Sequence, residues 1–369
     1  MMDRSRRLSP AERHLIDLLA FRSRSTTLDG EEEALLQAAS WHRVAPLLFS
    51  RSTPLPEAEG EWLRRRVEGA YYATAAKNLK ILHELAGLLD AFDGEGIPVI
   101  VLKGGHLIAR LYRNPALRPL SDIDLLVAPA YASRMTATMK RLGYVQKEGV
   151  FPSRRVARLW RTLALHLPPF HRKGSAVVEI HTEIRARWGT RLSSEEMWAG
   201  AEEVTIEGRR ALGLSPPHLL RHLLWHLDWH AAFGTARLLW YYDIALLLDA
   251  EPDLMALARR WGRKEHDDLT MVARLFLAEA PWEEEIPTVR RLGFSGRSND
   301  FLDNITSALG VFGMGQAIPL LWSHIFPSGA YLAARNPGLS RGRRLLYRLI
   351  RPWRLLWRTL ASLIRRMGA

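Results

Sequence analysis

The stretch LRPLSDIDLLV, residues 117–127, places two carboxylates at the beginning of an apolar run. Side chains alternate faces along a β-strand, so Asp122 and Asp124 are expected on one face and the apolar residues around them on the other. Two carboxylates so placed repel each other unless a cation lies between them. Because Mg²⁺ prefers oxygen ligands and keeps positions open for phosphates, the pattern predicts a strand that begins at a metal site. Turn or cap residues are the structural alternative for the same two acids.

A glycine turn lies upstream of this strand. The run IPVIV predicts a short buried strand at about 97–102, and Gly104 and Gly105 stand between it and a helical pattern. Glycine lets the backbone approach a ligand closely, and the free N–H groups at the beginning of a helix favour phosphate. With Lys103 in the same turn, this segment is a candidate phosphate site.

An acidic strand lies downstream. AVVEIHTEI, residues 176–184, predicts a third strand, and its period of two puts Glu179, His181 and Glu183 on one face. A third carboxylate beside the two aspartates would complete a site for two metal ions, which clamp the attacking and leaving oxygens of a phosphoryl transfer.

The order of segments predicts a small mixed α/β core inside a mostly α-helical chain. We predict four regions: a helical region at 1–92, the mixed-sheet core at 93–190, a second helical region at 191–334, and a basic amphipathic tail at 335–369. Residues 304–334 contain no charged residue. Glycines and prolines interrupt that stretch, so it predicts buried helices or a covering loop rather than a membrane span.

Composition and charge restrict the classes of function. The 369 residues include no cysteine, which excludes thiolate metal sites and cysteine nucleophiles and fits the reducing cytoplasm. Of the net charge of +13, ten positive charges are arginines after residue 334, which leaves +3 for the rest. A nearly neutral body disfavours a nucleic-acid enzyme. The tail predicts a solvated helix, or one that contacts an anionic membrane surface or an acidic partner at the cell periphery.

Glycine turn, Asp-x-Asp and acidic strand, in this order, resemble the nucleotidyltransferase superfamily that includes DNA polymerase beta. More closely, the chain resembles a bacterial family of uncharacterised nucleotidyltransferases, in which Leu-Lys-Gly leads to Tyr, Arg-Pro, Asp-x-Asp-Leu-Leu-Val and later Glu-x-His. The matching residues here are Leu102–Gly104, Tyr112, Arg118-Pro119, Asp122–Val127, Glu179 and His181. The segments HRVAPLL at 42–48 and YYDIALLL at 241–248 also look like family features.

This resemblance implies transfer of a nucleotidyl group from an NTP, with ATP as the first candidate, to a hydroxyl of a small molecule, a sugar or a protein. It implies Mg²⁺ or Mn²⁺ bound by Asp122 and Asp124, with Glu179 on the catalytic metal and assisting the acceptor hydroxyl. The predicted nucleotide contacts are Lys103, Gly104, Gly105, Arg118 and Ser121. The chain departs from the wider superfamily, which usually has Gly-Ser in this turn. A catalytically inactive binding or scaffold protein of the same fold is the alternative.

Four histidines recur every four residues in HLLRHLLWHLDWH, residues 218–230. Histidines at this spacing share a helical face and can bind zinc, but Leu219 replaces the glutamate that a metzincin-type hydrolase needs. We therefore predict that His222 and His226 line a cleft together with His181. Asp243, an acid in an apolar run, is expected to pair with a cation on another helix or to face the same cleft.

Overall fold

A computed structural model of the chain describes residues 7–21, 27–28, 30–51, 55–146, 167–184, 192–232, 235–278 and 340–367, with isolated positions between 292 and 338. The expectation for residues 304–334 therefore falls almost wholly outside the described residues. Among the described helices, none combines the length and the apolar character that crossing a membrane requires.

Helices precede the sheet. They are α1 Pro10–Leu19, α2 Glu32–Trp41, α3 Ala45–Leu48 and α4 Glu57–Gly94. A capping box begins α1: the Ser9 hydroxyl accepts from the Glu12 N–H, and the Glu12 carboxylate accepts from the Ser9 N–H. The long α4 confirms the helical stretch that the sequence predicts at about 61–92, and it extends beyond that stretch at both ends.

The described strands form one mixed sheet. They are β1 Ile100–Val101, β2 Asp122–Leu126, β3 Val145–Gln146, β4 Phe170–His171, β5 Val177–His181, β6 Glu202–Ile206 and β7 Arg209–Gly213. Their order in the sheet is β3-β4-β5-β2-β1-β7-β6. Because β2 is antiparallel to β1 and parallel to β5, the mixed α/β fold class predicted from the sequence is confirmed.

Residues 202–213 correct one expectation. The sequence analysis predicts helical spacing from residue 191 onwards, but these residues form the β6–β7 hairpin. Its turn residues Glu207 and Gly208 both have positive φ, 47° and 75°, as a two-residue type I′ turn requires. Val204 and Ile206 alternate with exposed residues along β6, a short period-two signal that the longer helical patterns on either side obscure.

The remaining helices surround the sheet. They are α5 Lys103–Leu107, α6 Ala132–Arg141, α7 Ser194–Ala199, α8 Pro216–Ala232, α9 Leu238–Ala250, α10 Asp253–Trp261, α11 Arg263–Phe276 and α12 Arg341–Met367. A π-helical turn, Ile108–Tyr112, continues α5.

Two apolar clusters hold these elements together. One joins helices from both ends of the sequence, for example Leu19 with Tyr242 and Phe276. Phe21 stacks on Tyr242 at 5.3 Å between ring centroids, and its N–H donates to the carbonyl of Phe276 at 2.7 Å. The second cluster covers the sheet, and the C-terminal half of α4 contributes Leu85 to it. Helices that precede and follow the sheet in the sequence thus share one apolar core. The division of the chain into four regions stays a prediction.

Candidate active site

The acid face of β2 lies in the middle of the sheet. Ile123, Leu125 and Val127 are buried on the opposite face, as the strand alternation predicts. Asp124 is almost fully buried, and its register partner on the parallel strand β5 is Glu179. Hydrogen-bonded parallel strands place these two carboxylates side by side, although 55 positions separate them in the sequence.

The ammonium of Lys103 lies between those carboxylates. Its Nζ is 2.6 Å from Asp124 Oδ1 and 3.8 Å from Glu179 Oε2. The Lys103 backbone has a φ of 42°, a left-handed conformation that is unfavourable for residues other than glycine. Such strain concentrates at functional sites. With its two carboxylate contacts, the Lys103 ammonium already occupies the space between Asp124 and Glu179.

His181 completes a group that is able to hold a metal ion. Its Nε2 lies 3.0 Å from Asp124 Oδ1 and 4.0 Å from Glu179 Oε2. One ligand atom from each of the three residues lies within 4.8 Å of the others. Asp122 is not part of this trio, and its carboxylate accepts a hydrogen bond from the Ser121 hydroxyl at 3.1 Å. The sequence assigns His181 only to a cleft, so its place beside Asp124 was missed.

Burial and mutual repulsion give the three acids different proton affinities. Burial, followed by the negative charge of Asp124, raises the pKa of Glu179 to about 7 and also raises the pKa of Asp122. Burial alone would raise the pKa of Asp124, but the Lys103 ammonium and the His181 hydrogen bond hold it well below its usual range. One carboxylate therefore stays ionised while Glu179 is able to exchange a proton near neutral pH.

A cavity of about 230 Å³ opens beside the acid face. Of the residues that the sequence analysis singles out, its lining includes Lys103, Gly104, Arg118, Ser121, Asp122, Asp124, His226 and Asp243. Gly105, Glu179, His181 and His222 are not among the lining residues. The lining that sequence analysis missed includes Arg43, Leu223, His230, Leu239 and Trp240. His230 belongs to the histidine repeat and Arg43 to the HRVAPLL segment, but neither is predicted to line the cleft, and no local pattern marks the other three.

An aromatic wall formed by His226, His230 and Trp240 lines this cavity. The ring centroid of Trp240 lies 4.9 Å from that of His226 and 4.2 Å from that of His230. Burial lowers the pKa of both histidines, that of His230 to about 4, so both rings are neutral at pH 7. The histidine helix thus presents uncharged rings to the cavity.

His222 lies behind the wall rather than on it. Its ring stacks on Trp225 at 6.0 Å and meets the edge of His181 at 6.5 Å. Among the described residues, neither of its ring nitrogens has a hydrogen-bond partner. His218, at the beginning of the helix, instead bonds the Ser215 hydroxyl at 2.8 Å. Only His226 and His230 therefore lie together, and the four histidines do not form one metal site among the described residues.

The glycine turn is required by packing. A Cβ atom at Gly104 would collide with the side chain of Leu120 and lie 2.6 Å from Arg118 Nη1. One at Gly105 would lie 3.1 Å from Val101 and 3.2 Å from Leu85. Close contact of α5 with β1 and the following loop accounts for both glycines, while their contact with phosphate stays a prediction.

Arg118 forms a two-pronged ion pair with Asp243. Its Nε and Nη2 donate to the two carboxylate oxygens at 2.8 and 2.7 Å, and the Tyr112 hydroxyl adds a third hydrogen bond at 2.7 Å. Burial opposes the charge on Arg118, but Asp243 outweighs it and raises the arginine's pKa. The expectation that Asp243 pairs with a cation is confirmed, but the partner lies in the loop before β2 and not on another helix. Arg118 as a phosphate contact stays a prediction.

The loop before β2 is fixed by α4. The buried amide of Asn78 donates to the carbonyls of Pro115 and Arg118 at 2.6 and 2.7 Å and accepts from the Leu120 N–H at 3.0 Å. An amide side chain offers two N–H donors and two acceptor lone pairs. Asn78 uses three of these four here. This loop therefore presents Ser121 and Asp122 from a rigid support.

Arg43 approaches the same loop from the N-terminal helices. Its Nη2 donates to the carbonyl of Pro119 at 3.3 Å, and it forms no ion pair with a described residue. Its backbone, like that of Lys103, is left-handed, with a φ of 62°. Burial, followed by repulsion from Arg118, lowers the pKa of its guanidinium. Arg43 is thus a cation at the cavity whose charge is not committed to a described acid.

A second, larger hollow of about 670 Å³ lies elsewhere and contains none of the acid-face residues. Arg110 is one of its lining residues and is bound by Glu202 at 2.5 Å and Glu251 at 3.0 Å. Arg110 is therefore already paired, and the smaller cavity is the one that lies beside the acid face.

Comparison with known proteins gives a family and a distant structural likeness. Residues 29–276 match a family described as uncharacterised nucleotidyltransferase. No curated protein matches the chain. The solution structure of the antibiotic-resistance factor ANT(2'')-Ia is 13% identical, with a TM-score of 0.35 over 53% of this chain and 97% of that one.

A crystal structure of ANT(2'')-Ia in complex with adenylyl-2''-tobramycin is similar at 14% identity, with a TM-score of 0.32 over 49% of this chain and 98% of that one. At TM-scores below 0.5, neither likeness supports an argument about the substrate of this chain.

Proposed function

The chain belongs to the uncharacterised nucleotidyltransferase family and is a transferase, and from this premise we propose that it transfers a nucleoside monophosphate from an NTP to a hydroxyl acceptor in the presence of Mg²⁺. One observation carries the proposal. Asp124 and Glu179 meet at the Lys103 ammonium, and Asp122 and Asp124 line the adjoining cavity. Carboxylates in surplus over cations are arranged for a further positive charge.

The donor set fits a divalent cation. The three carboxylates supply the oxygen ligands that Mg²⁺ prefers, and the nitrogen of His181 is compatible with Mn²⁺. When bound, the ion would neutralise charge that develops on the phosphoryl oxygens. Lys103 now lies between Asp124 and Glu179, and once released from them its ammonium would be free to contact the triphosphate.

Glu179 is the proposed general base. In the metal-free protein, burial and the charge of Asp124 hold the pKa of Glu179 at about 7, so this side chain is able to exchange a proton near neutral pH. It would accept the proton of the acceptor hydroxyl, whose oxygen attacks the α-phosphorus. The bond from that phosphorus to the bridging β-phosphate oxygen breaks, and pyrophosphate leaves.

Arg43 is the proposed additional triphosphate contact. Arg118 is engaged on both prongs by Asp243, whereas Arg43 binds only a carbonyl oxygen among the described residues. Neutral, closely packed rings form the aromatic wall, and such a surface suits stacking of a nucleobase or of a flat acceptor. We therefore assign the phosphates to the Lys103 and Arg43 side of the cavity and an aromatic ring to the Trp240 side.

The direct test is label transfer. The protein is incubated with Mg²⁺, each α-³²P-labelled NTP in turn, and fractionated small-molecule extracts or the protein itself as acceptor. Labelled product is expected with at least one NTP, and it should disappear in the Asp122→Asn, Asp124→Asn double variant. Transfer that persists in this variant would contradict the assigned site.

A parallel binding measurement separates the alternatives. Calorimetry with NTP and Mg²⁺ should show binding that Arg43→Gln weakens by about tenfold, the effect of one charged phosphate contact. Arg210→Gln, a change at an exposed hairpin arginine, is the matched control. Nucleotide binding without transfer to any acceptor would favour the inactive binding protein over the transferase.

A further inference from the structure

The helix α12 has two chemically distinct faces. At about 100° per residue, its described leucine, isoleucine and tryptophan side chains fall on one arc of about 140°, and its described arginines fall on the remaining arc. The apolar arc contains Leu345, Leu346, Leu349, Ile350, Trp353 and Trp357. The arginine arc contains Arg341, Arg343, Arg344, Arg348, Arg351 and Arg354. No arginine lies on the apolar arc over this part of the helix, and Tyr347 and Pro352 lie among the arginines.

The apolar arc is exposed. Trp353 and Trp357 keep 71% and 74% of their surface accessible, and Leu349 keeps 64%. In the part of the chain that the structure describes, these are among the most exposed large apolar residues. A contiguous apolar surface of this kind marks an interaction site.

We propose that α12 lies in the interface of a membrane that carries anionic lipids, with its apolar arc among the acyl chains and its arginines at the headgroups. Charge complementarity supports this occupant. The segment after residue 334 has ten arginines and no acid, so a negatively charged surface that extends along the whole helix matches it. Tryptophan and arginine are both well suited to the headgroup region.

Other occupants fit less well. A second copy of α12 packed through the apolar arc would cover the tryptophans but would supply no acid for the arginines of either helix. The first 334 residues carry a net charge of +3. A body of the same charge sign does not attract the arginine-rich helix. A nucleic acid would satisfy the arginines and leave the apolar arc in water.

Vesicle sedimentation tests the proposal with the full-length protein. Binding to vesicles of phosphatidylcholine with about 30% phosphatidylglycerol is expected at physiological salt, with at least about tenfold weaker binding to phosphatidylcholine alone. The triple variant Arg344→Gln, Arg348→Gln, Arg354→Gln should bind about 100-fold more weakly, at about fivefold for each charge removed. Its matched control removes the same charge from exposed positions of the body: Arg210→Gln, Arg260→Gln and Arg263→Gln.

A depth measurement distinguishes insertion from simple attraction. The chain has no cysteine, so a single introduced cysteine can carry an environment-sensitive dye. On anionic vesicles, the emission of a dye at Leu349→Cys should shift to the blue, and that of a dye at Arg354→Cys should stay near its value in water.

Four outcomes would overturn the proposal. They are failure to bind anionic vesicles, equal dye shifts on both faces, binding to polyglutamate in preference to vesicles, and a concentration-dependent dimer that the triple variant leaves intact. The second indicates adsorption by charge alone, the third an acidic protein partner, and the last a second copy of the chain. None of these measurements depends on nucleotidyl transfer.

Discussion

Two ion pairs line the same cavity, and they differ in what remains after the pair has formed. Arg118 and Asp243 meet through two parallel hydrogen bonds, and the Tyr112 hydroxyl takes a further position on the carboxylate. Lys103 meets Asp124 through one contact, with Glu179 close by. The first pair joins the loop before β2 to α9 with its charges balanced. The second pair leaves more carboxylates than cations. This difference distinguishes a structural joint, an ion pair that only links two elements, from a site that can bind a further cation.

The largest effect is expected at the acid face. Replacing Asp124 with asparagine removes the carboxylate that contacts both Lys103 and His181. Transfer should fall by at least about 10⁴-fold, or about 5 kcal/mol of transition-state stabilisation, because the metal loses its central ligand. Initial rates with labelled NTP measure the loss. Glu203→Gln, at an exposed acid of β6, should keep the native rate, and an Asp124→Asn rate within tenfold of native would refute the assignment.

The next effect is expected at the structural joint. Arg118→Met leaves the fully buried Asp243 without its cation, which should lower the free energy of unfolding by about 3–5 kcal/mol. Urea unfolding followed by circular dichroism measures this loss. Arg141→Met, which breaks the exposed pair with Glu95, is the control and should cost less than about 1 kcal/mol. Similar losses in the two variants would remove the distinction between joint and surface pair.

Glu179 makes the free energy of unfolding depend on pH. Its pKa of about 7 in the folded protein exceeds the ordinary value of about 4.5, so between these values the folded protein holds a proton that the unfolded chain has lost. Without metal, the free energy of unfolding should therefore fall as the pH rises from about 4.5 to 7, by up to about 3 kcal/mol.

Urea unfolding at pH 5 and at pH 7.5 measures this change. Glu179→Gln should remove most of it, and Glu203→Gln should leave it unchanged. The same slope in the native protein and in Glu179→Gln would show that Glu179 does not titrate in this range.

The smallest effect distinguishes the two pairs most directly. Lys103→Met removes the ammonium from between the acids and should cost about 2 kcal/mol in the absence of metal, the value of a hydrogen bond between charged groups. Millimolar Mg²⁺ should restore most of that loss, as followed by thermal unfolding. Arg118→Met should gain no comparable stability from Mg²⁺, because Asp243 belongs to no group of metal-binding side chains among the described residues. Equal recovery in both variants would contradict the comparison.

Local sequence pattern predicts the strands that carry the acids. Alternation in residues 117–127 and 176–184 places Asp122, Asp124 and Glu179, because every second side chain of a strand shares a face. The same alternation shows that Glu179 and His181 share a face, but it does not show which strand lies beside them. The parallel register of β2 and β5 brings them to Asp124, and register is set by long-range packing.

The cavity wall could not be read from local pattern. Arg43 follows α2, His230 ends α8 and Trp240 begins α9, and the apolar cluster shared by the N-terminal and C-terminal helices brings them together. Only the apolar spacing of those helices was visible in advance. The β6–β7 hairpin was missed for a related reason, since five-residue strands carry little signal between long helical patterns.

Asn78 also determines how one amide hydrogen of the loop exchanges with solvent. The Leu120 N–H is held by a side chain that is itself fully buried in α4. Deuterium can therefore replace that hydrogen only when the loop separates from the helix, so its protection factor reports the free energy of this opening. The exchange rate at this single amide, compared with and without nucleotide, would show whether substrate binding strengthens the support beneath the acid face.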